Sequence, residues 1–223
     1  IDHSSIIEHA QRLAAENGIE NVNFEDVHSS KFYLDEPVDV ILHEQIGDFL
    51  FDEAMVPNVC DLRDRLLKPG GLILPSQFAL FCEPLTLHDD RRLPYIWELN
   101  DVYGFDFSSM GRSRPNDPEY YRLVSCDLGV VKHFLGRPAP IVKVDLHTIT
   151  ESTLPLKVSF MRKVTTAGLL DGLVVYMKAK VDDDLTLSSS PLDPGRAPHW
   201  GFRVLRLDQR QVEVGDDLEV TLT

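Results

Sequence analysis

The chain has 223 residues, of which 43% are hydrophobic and 26% charged, and its formal net charge at pH 7 is −14. This length suffices for one large domain or two modest ones, each with a buried core, and the composition excludes a disordered or low-complexity chain. The excess of carboxylates argues against a nucleic-acid partner, whose phosphates require Lys and Arg, and is compatible with a cationic partner.

The lengths of the apolar runs and the cysteines indicate the cellular compartment. No run approaches the roughly 20 apolar residues of a membrane span, so we expect no membrane partner. Cys60, Cys82 and Cys126 cannot all pair with one another, and none lies at the spacing of metal ligands. Because free thiols are typical of reducing compartments and no secretion signal is present, we expect a location in the cytoplasm, the nucleus or both.

Residues 1–75 alternate between helical and extended patterns. Ser5 and Glu8 have the spacing of a capping box, which predicts a helix that begins there and ends at Gly18. A short strand is predicted next, at residues 22–25.

The second half of this region repeats the alternation. Residues 38–43 predict a strand whose β-branched and apolar residues are typical of a buried parallel sheet. A helix is predicted from about residue 54 to residue 67, because apolar residues recur on one stripe. Residues 68–71 (KPGG) end that helix, and residues 72–75 predict another strand. This order is that of the later part of a doubly wound α/β domain.

After residue 75 the pattern changes to short strands separated by Pro, Gly, Asp and Ser, which predicts an antiparallel sandwich or barrel. The predicted strands are residues 78–82, 124–128, 141–146, 156–160, 173–181, 201–207 and 218–223. Residues 91–114, between the first two, concentrate aromatic side chains, including Trp97 and Tyr103. The acidic residues 182–184 predict a solvated turn.

Residues 43–55 (HEQIGDFLFDEAM) carry two glutamates at the carboxyl end of the best predicted strand, where open α/β sheets bind their ligands. Glu44 and Glu53 are nine positions apart, which places them on opposite faces of any continuous helix. A shared role therefore requires a bent loop, for which Gly47 is well placed. The pattern alone leaves a second interpretation open, in which Glu44 caps a local turn and Glu53 only begins the next helix.

This segment resembles the double-glutamate loop of the protein arginine methyltransferases. Four other segments resemble family motifs in the same order. Residues 1–6 resemble an acidic strand end followed by a helix start, and residues 68–75 the passage into the family's barrel. Residues 102–108 (VYGFDFS) resemble a signature of the dimerisation arm, and residues 198–200 (PHW) the Thr-His-Trp loop. The resemblance covers essentially the whole chain.

The resemblance implies an α/β plus all-β fold. Residues 1–75 would be the C-terminal part of a Rossmann-like, S-adenosylmethionine-dependent methyltransferase domain. Residues 76–223 would be an antiparallel β-barrel that binds substrate, with a dimerisation arm inserted at about residues 88–115. The implied cofactor is S-adenosylmethionine, which leaves as S-adenosylhomocysteine. The implied partners are arginine-rich protein substrates and a second copy of the chain, bound through the arm.

The resemblance also assigns the residues that bind substrate. Glu44 and Glu53 would be the catalytic clamp, since paired carboxylates can accept parallel N–H bonds from a planar guanidinium. His199 and Trp200 would form the facing wall of the arginine pocket. Met55 would line the pocket as it does in members that make asymmetric dimethylarginine.

For the cofactor, the resemblance implies that Asp2 holds the ribose and that Val27 and His28 contact adenine. Four residues depart from the family pattern. His28 replaces a usual Glu, and Asp52 stands where Tyr is frequent. Gln45 and Ile46 replace a frequent Trp-Met pair after the first glutamate. These departures indicate a divergent member.

The family's Gly-x-Gly-x-Gly loop does not occur in this sequence. We therefore expect the chain to lack the first half of its cofactor domain, to bind S-adenosylmethionine weakly at best, and to expose apolar sheet surface. Two alternatives to an arginine methyltransferase stay open. One is an inactive regulatory paralogue that dimerises with an active enzyme, and the other is a small-molecule methyltransferase of the same architecture. The intact glutamate pair favours the enzyme.

Overall fold

A computed structural model of the chain describes residues 1–47, 50, 52–114, 121–125 and 127–223. The end of the predicted arm at Pro115 and the predicted free thiol Cys126 lie outside the described residues. No helix among the described residues is long and apolar enough to cross a membrane.

Among its described residues, the first unit contains two α-helices and a two-stranded parallel sheet. Its elements are α1 (Ile6–Glu16), β1 (Val38–Leu42), α2 (Met55–Leu66) and β2 (Leu67–Leu74). Strands β1 and β2 pair in parallel, with Ile41 opposite Ile73. The α/β part of the predicted fold is therefore present, and β2 leads directly into the second unit.

Strand β2 begins earlier than predicted, because residues 68–71 are extended and do not end the helix. The register to β1 shifts between Val38 and Val40, and Gly70 has a φ of +78° at this irregularity. A Cβ on Gly71 would lie 2.9 Å from the Asp39 carbonyl oxygen, so only glycine permits this close approach of the two strands. The Gly-Gly pair therefore serves the sheet.

Two local predictions in the first unit are wrong. The Ser5 side chain makes no capping hydrogen bond, because Ser5 has helical φ and ψ instead of the extended backbone that a capping serine needs. Residues 22–25 form no strand, since the pairing next to them is a single isolated bridge between Asp2 and Asp26, with the Asp2 amide donating to the Glu25 carbonyl at 3.1 Å.

One face of the β1–β2 sheet is exposed, contrary to the prediction of a strand buried on both faces. Val40 is 45%, Leu42 80% and Leu72 54% exposed, whereas Ile41 and Ile73 on the opposite face are buried. The described residues thus cover one face of the sheet only. Exposed apolar area of this kind destabilises an isolated sheet.

In the described part of the second unit, nine antiparallel strands form a barrel-like arrangement. They are β3 (Gln77–Leu87), β4 (Arg122–Ser125), β5 (Val131–Phe134), β6 (Pro140–Asp145), β7 (Val158–Lys163), β8 (Gly168–Lys180), β9 (Thr186–Ser188), β10 (Phe202–Val212) and β11 (Asp217–Leu222). Seven form one sheet in the order β4-β10-β8-β3-β5, with β6 beside β3 and β9 beside β8. Strands β7 and β11 form the second sheet, and a bridge from Gly136 to Val164 connects the two.

The antiparallel class predicted for this unit is confirmed, but the strand inventory is incomplete. The four-residue β5 and three-residue β9 are not predicted, because each is too short to show an alternating pattern. The acidic residues 182–184 are exposed and form a turn, in which Asp182 accepts hydrogen bonds from the Asp184 and Leu185 amides.

The two units share one hydrophobic core. From the first unit it takes one face of the sheet and helix α2, and from the second the faces of β3, β6 and β8. Its buried members include Ile41, Met55, Val56, Val59, Ile73, Phe78, Leu80, Val142, Val144, Met177 and Trp200. At its edge the guanidinium of Arg63 on α2 donates to the carbonyls of Leu146 and Ile149, which fixes the helix against the barrel.

The arm segment, residues 88–114, consists of short 3₁₀ turns that pack on β10. Tyr95 stacks on Trp97 with ring centroids 4.6 Å apart. The guanidinium of Arg206 lies 4.4 Å from the Tyr95 centroid and that of Arg114 lies 5.1 Å from the Trp97 centroid. The aromatic concentration predicted from sequence is thus held by cation–π contacts that fix the base of the arm.

A buried ion pair connects the two sheets of the barrel. Glu83 on β3 is fully buried, and its carboxylate accepts two bonds from Arg162 on β7, at 2.6 and 2.9 Å. The Ala139 amide donates to the same carboxylate at 2.9 Å. Burial raises the pKa of Glu83, and the bonds from Arg162 oppose that effect.

We predict that Arg162→Met destabilises the protein by about 3–5 kcal/mol, because it leaves the Glu83 charge buried without a counter-ion. The neighbouring Lys163→Met is the matched control, since its pair with Asp217 is exposed and contributes about 0–1 kcal/mol. Urea unfolding monitored by circular dichroism measures both. Equal losses in the two variants would contradict the prediction.

Candidate functional site

Three hydrogen bonds hold the loop after β1 in place. His43 Nε2 donates to the Pro75 carbonyl at 2.8 Å, at the junction between the two units. Gln45 Nε2 donates to the Glu53 carbonyl at 2.9 Å. Ile46 offers its carbonyl to Trp200 Nε1 at 3.1 Å. These contacts hold both glutamates and the His-Trp loop at the carboxyl end of β1.

The backbone around the two glutamates is tightly turned. The Ile46 amide donates to the Glu44 carbonyl at 2.7 Å, which closes a three-residue turn. Glu53 and Ala54 both have left-handed backbones, with φ of 58° and 52°. Such values cost free energy in residues other than glycine and cluster at functional sites. The sequence predicts a bend between the glutamates, and the structure places two strained residues at its far end.

Both clamp candidates are available to a ligand. Glu44 and Glu53 are exposed, and neither carboxylate is paired with a cation within the described ranges. Two surface grooves, of about 530 and 370 Å³, lie elsewhere, on the outside of the barrel and at the base of the arm. Neither groove is lined by Glu44 or Glu53.

The His-Trp loop supplies one exposed and one buried side chain. Trp200 is buried in the shared core, so its indole both packs on the first unit and donates to the Glu44 loop. His199 beside it is exposed to solvent. The Arg196 guanidinium donates to the Trp200 carbonyl at 2.6 Å, which holds the loop in place. Met55, predicted to line the pocket, is buried in the same core beneath the loop.

The three residues predicted to bind the cofactor lie together at another edge of the first unit. Asp2 pairs with the segment before Val27, whose amide donates to the Asp2 carbonyl at 3.0 Å. The rings of His3 and His28 are tilted against each other with centroids 5.1 Å apart. His28 also accepts a bond at Nδ1 from the Ser30 amide at 3.2 Å.

The polar groups at this edge could bind part of a nucleoside. Asp2 is exposed, and hydrogen bonds from Ser4 hold the pKa of its carboxyl below the usual value. An ionised carboxylate at a strand end is the acceptor that ribose hydroxyls require. His28 offers an imidazole in place of the usual carboxylate, so the adenine contact would differ from the family pattern.

Helix α2 connects the two candidate sites. Arg65 donates to the carbonyls of Ser29 and Phe32 at 3.0 and 2.6 Å, next to His28, and is anchored by a two-pronged pair to Asp61. The amino end of the same helix begins at Met55, immediately after the second glutamate. One rigid element thus fixes the distance between the predicted cofactor edge and the glutamate loop.

Three residues that hold these sites have no distinguishing signal in the sequence: His43, Gln45 as a hydrogen-bond donor, and Arg65. The strand periodicity indicated His43 only as the end of β1. No sequence signal predicts which carbonyl a side-chain donor will meet, because those carbonyls are 8 to 36 positions away.

Residues 81–223, well over half of the chain, match the family model described as the arginine methyltransferase oligomerization subdomain. The chain belongs to the protein arginine N-methyltransferase family. The family predicted from the motifs is therefore confirmed.

Several family members resemble the chain along nearly its whole length. Protein arginine N-methyltransferase 6 of Xenopus tropicalis is 33% identical over 228 residues, which cover 99% of this chain and 65% of that protein. Protein arginine N-methyltransferase 1 of Saccharomyces cerevisiae is 30% identical over 234 residues, 98% of this chain and 63% of that protein. This chain thus spans slightly less than two thirds of the length of these relatives.

Solved structures of the family confirm the predicted fold class. The Trypanosoma brucei PRMT1 enzyme-prozyme heterotetrameric complex with AdoHcy aligns with a TM-score of 0.79 at 24% identity, over 98% of this chain and 68% of that one. Arabidopsis thaliana protein arginine methyltransferase 10 aligns with a TM-score of 0.77 at 22% identity, over 98% and 70%. At these identities the likeness establishes the α/β plus barrel architecture.

His43 stands directly before the first glutamate of this family motif. Because a carbonyl can only accept, Nε2 carries the proton toward Pro75, and Nδ1 has no hydrogen-bond partner among the described residues. Burial lowers the pKa of His43, against smaller opposing effects of the Pro75 bond and the Glu44 charge. The neutral imidazole therefore fits the folded state.

We predict that His43 makes the protein less stable as the pH falls below about 6.5, the ordinary histidine pKa. The unfolded chain binds a proton there while the folded chain resists it, so the free energy of unfolding decreases with falling pH. In His43→Gln this dependence should be shallower between pH 7 and pH 5, as measured by urea unfolding. His147→Gln, at an exposed turn, is the control, and identical slopes in wild type and His43→Gln would refute the prediction.

Proposed function

We propose that this protein transfers a methyl group from S-adenosylmethionine to a guanidinium nitrogen of arginine in protein substrates. The observation that carries the proposal is the pair of hydrogen bonds from Gln45 to the Glu53 backbone and from Trp200 to the Ile46 carbonyl. Together they gather both unpaired glutamates and the His-Trp loop around the carboxyl end of β1.

The two carboxylates suit a guanidinium for physical reasons. Arginine has a pKa above roughly 12, so a methylating site must hold the cation and does not deprotonate it beforehand. Glu44 and Glu53 would accept parallel N–H bonds and draw positive charge toward the nitrogens that do not react. The remaining nitrogen then keeps more electron density for attack. The rate would come from positioning and electrostatics.

The cofactor would be held at the edge formed by Asp2, Val27 and His28. The Asp2 carboxylate would accept hydrogen bonds from ribose hydroxyls, and the imidazole of His28 would lie beside adenine. When bound, S-adenosylmethionine supplies an electrophilic methyl group. The exposed apolar face at Val40 and Leu42 supports a further proposal, that polypeptide outside this sequence covers the sheet and completes the cofactor site.

The clamp is tested by Glu44→Gln and Glu53→Gln in the complete gene product. Each variant removes one charge with little change in shape, so we expect transfer of labelled methyl to an arginine peptide to fall by about 100-fold or more. A lysine peptide should accept no label from the wild type.

Glu20→Gln is the matched control, because it removes the same charge from an exposed position after α1. Its activity should equal that of the wild type. Near-normal turnover in either clamp variant would exclude the clamp assignment. Absence of turnover in the wild type itself would favour the regulatory paralogue.

We also propose that the arm mediates a homodimer that acts on arginine-rich proteins. The family model that matches residues 81–223 is described as an oligomerization subdomain. On the arm, Tyr103 is 97% and Phe105 67% exposed, on either side of a turn closed by bonds between the Val102 and Phe105 backbones. Exposed aromatic side chains on a fixed turn are typical of protein–protein contacts.

We predict that Trp97→Ala and Tyr103→Ala weaken the homodimer, with a dissociation constant raised about tenfold or more. Tyr103→Ala removes only an exposed ring, whereas Trp97→Ala also removes the stacking partner of Tyr95. Sedimentation equilibrium measures the effect, with Tyr33→Ala, an exposed aromatic of the first unit, as control. An unchanged mass for the Tyr103 variant would refute the proposed arm interface.

A further inference from the structure

We propose that Gln45 is a positioning residue for the second glutamate, holding the left-handed backbone of Glu53 through one side-chain hydrogen bond. The inference rests on the proposed arginine methyltransferase function, which it deepens. Gln45 stands where the family frequently has Trp, so the contact belongs to this chain and not to the general family pattern.

The side-chain amide of Gln45 can make this contact in only one orientation. The Glu53 carbonyl has lone pairs and no hydrogen, so the Gln45 NH₂ group must face it across the 2.9 Å distance. Gln45 is half-buried, whereas Glu53 is exposed, so the contact acts by fixing direction and its net contribution to stability is small.

The contact falls at a strained part of the loop. Glu53 and the following Ala54 are both left-handed, and neither is glycine, so each residue raises the free energy of this conformation. Helix α2 begins immediately afterwards and provides no side-chain cap at Ala54. The bond from Gln45 is the side-chain contact from the first-glutamate end of the loop that opposes relaxation of this backbone.

The same bond sets the spacing of the two acids. Gln45 is adjacent to Glu44, and it is bonded to the main chain of Glu53, so a single side chain joins the two halves of the clamp. On its other side, Ile46 is fixed to Trp200 of the barrel. If the Gln45 bond is lost, Glu44 keeps its anchors at His43 and Ile46, whereas Glu53 is free to relax toward an ordinary backbone conformation.

The test compares Gln45→Glu and Gln45→Leu in the complete gene product. Gln45→Glu has nearly the same shape but places a carboxylate oxygen against the Glu53 carbonyl. Gln45→Leu keeps similar bulk and loses the donor. If the residue only filled space, Gln45→Glu would behave as the wild type.

Positioning instead requires kcat/KM for an arginine peptide to fall about 10-fold or more in both variants, with the larger loss in Gln45→Glu. The KM for S-adenosylmethionine should stay within about twofold, because the cofactor edge keeps its own anchor at Arg65. Gln11→Glu and Gln11→Leu, on the exposed surface of α1, make the same changes away from the loop and should leave all constants unchanged.

Hydrogen exchange measured by mass spectrometry gives a readout that does not need activity. Amides of residues 58–61, the first of α2 that have intrahelical acceptors, should exchange faster in both Gln45 variants than in the wild type, and amides of the barrel should not change. Unchanged exchange at residues 58–61, or kcat/KM equal to the wild type in Gln45→Glu, would overturn the proposal. A wild type without methyltransferase activity would refute the proposed function, while the exchange result would still decide whether Gln45 holds Glu53.

Discussion

The hydrophobic core shared by helix α2 and the barrel sheet is the constraint on which the rest of the molecule depends. Val56 and Val59 on the helix, and Phe78 and Met177 on the strands, are buried in one cluster. Each such side chain contributes roughly 1.5–3 kcal/mol of stability when it leaves water, so separating the two units would cost a large free energy. Trp200 belongs to the same cluster. Packing of the barrel against α2 therefore also places the His-Trp loop in contact with the glutamate loop. The site is thus a consequence of how the units pack.

Around this core, the polar contacts specify geometry more than they add stability. The bonds from His43, Gln45 and Trp200 to backbone carbonyls are individually worth only about 0.5–1.5 kcal/mol. Their value lies in direction, because each ties one point of a loop that has little regular structure to a rigid neighbour. The left-handed backbone at Glu53 is tolerated under these conditions, since the Gln45 side chain holds the Glu53 carbonyl. Preorganisation of this kind is what a site that works by positioning requires.

Much of the fold could be predicted from the sequence, and the failures have physical causes. The helix at α2 was predictable because its apolar stripe is a local, periodic signal. The capping role of Ser5 was not, because Asp2 accepts the Ser4 amide and Ser5 itself is helical. The extension of β2 through Gly70 and Gly71 depended on a close approach to Asp39, which no local pattern encodes. Strands as short as β5 and β9 exist only because long neighbours pair with them.

The candidate site divides in the same way. The sequence by itself determined the chemistry: an acid at residue 2 ahead of the first helix, two glutamates after a parallel strand, and a His-Trp pair before another strand, in the order of one family. Only the tertiary structure decided that Gln45, a departure from the family pattern, joins the two glutamates, and that Trp200 is a core residue with its indole bonded to their loop. Residue types follow from composition and order along the chain. Which donor meets which carbonyl depends on the packing of elements far apart in sequence, because a hydrogen bond is decided by position and direction in space.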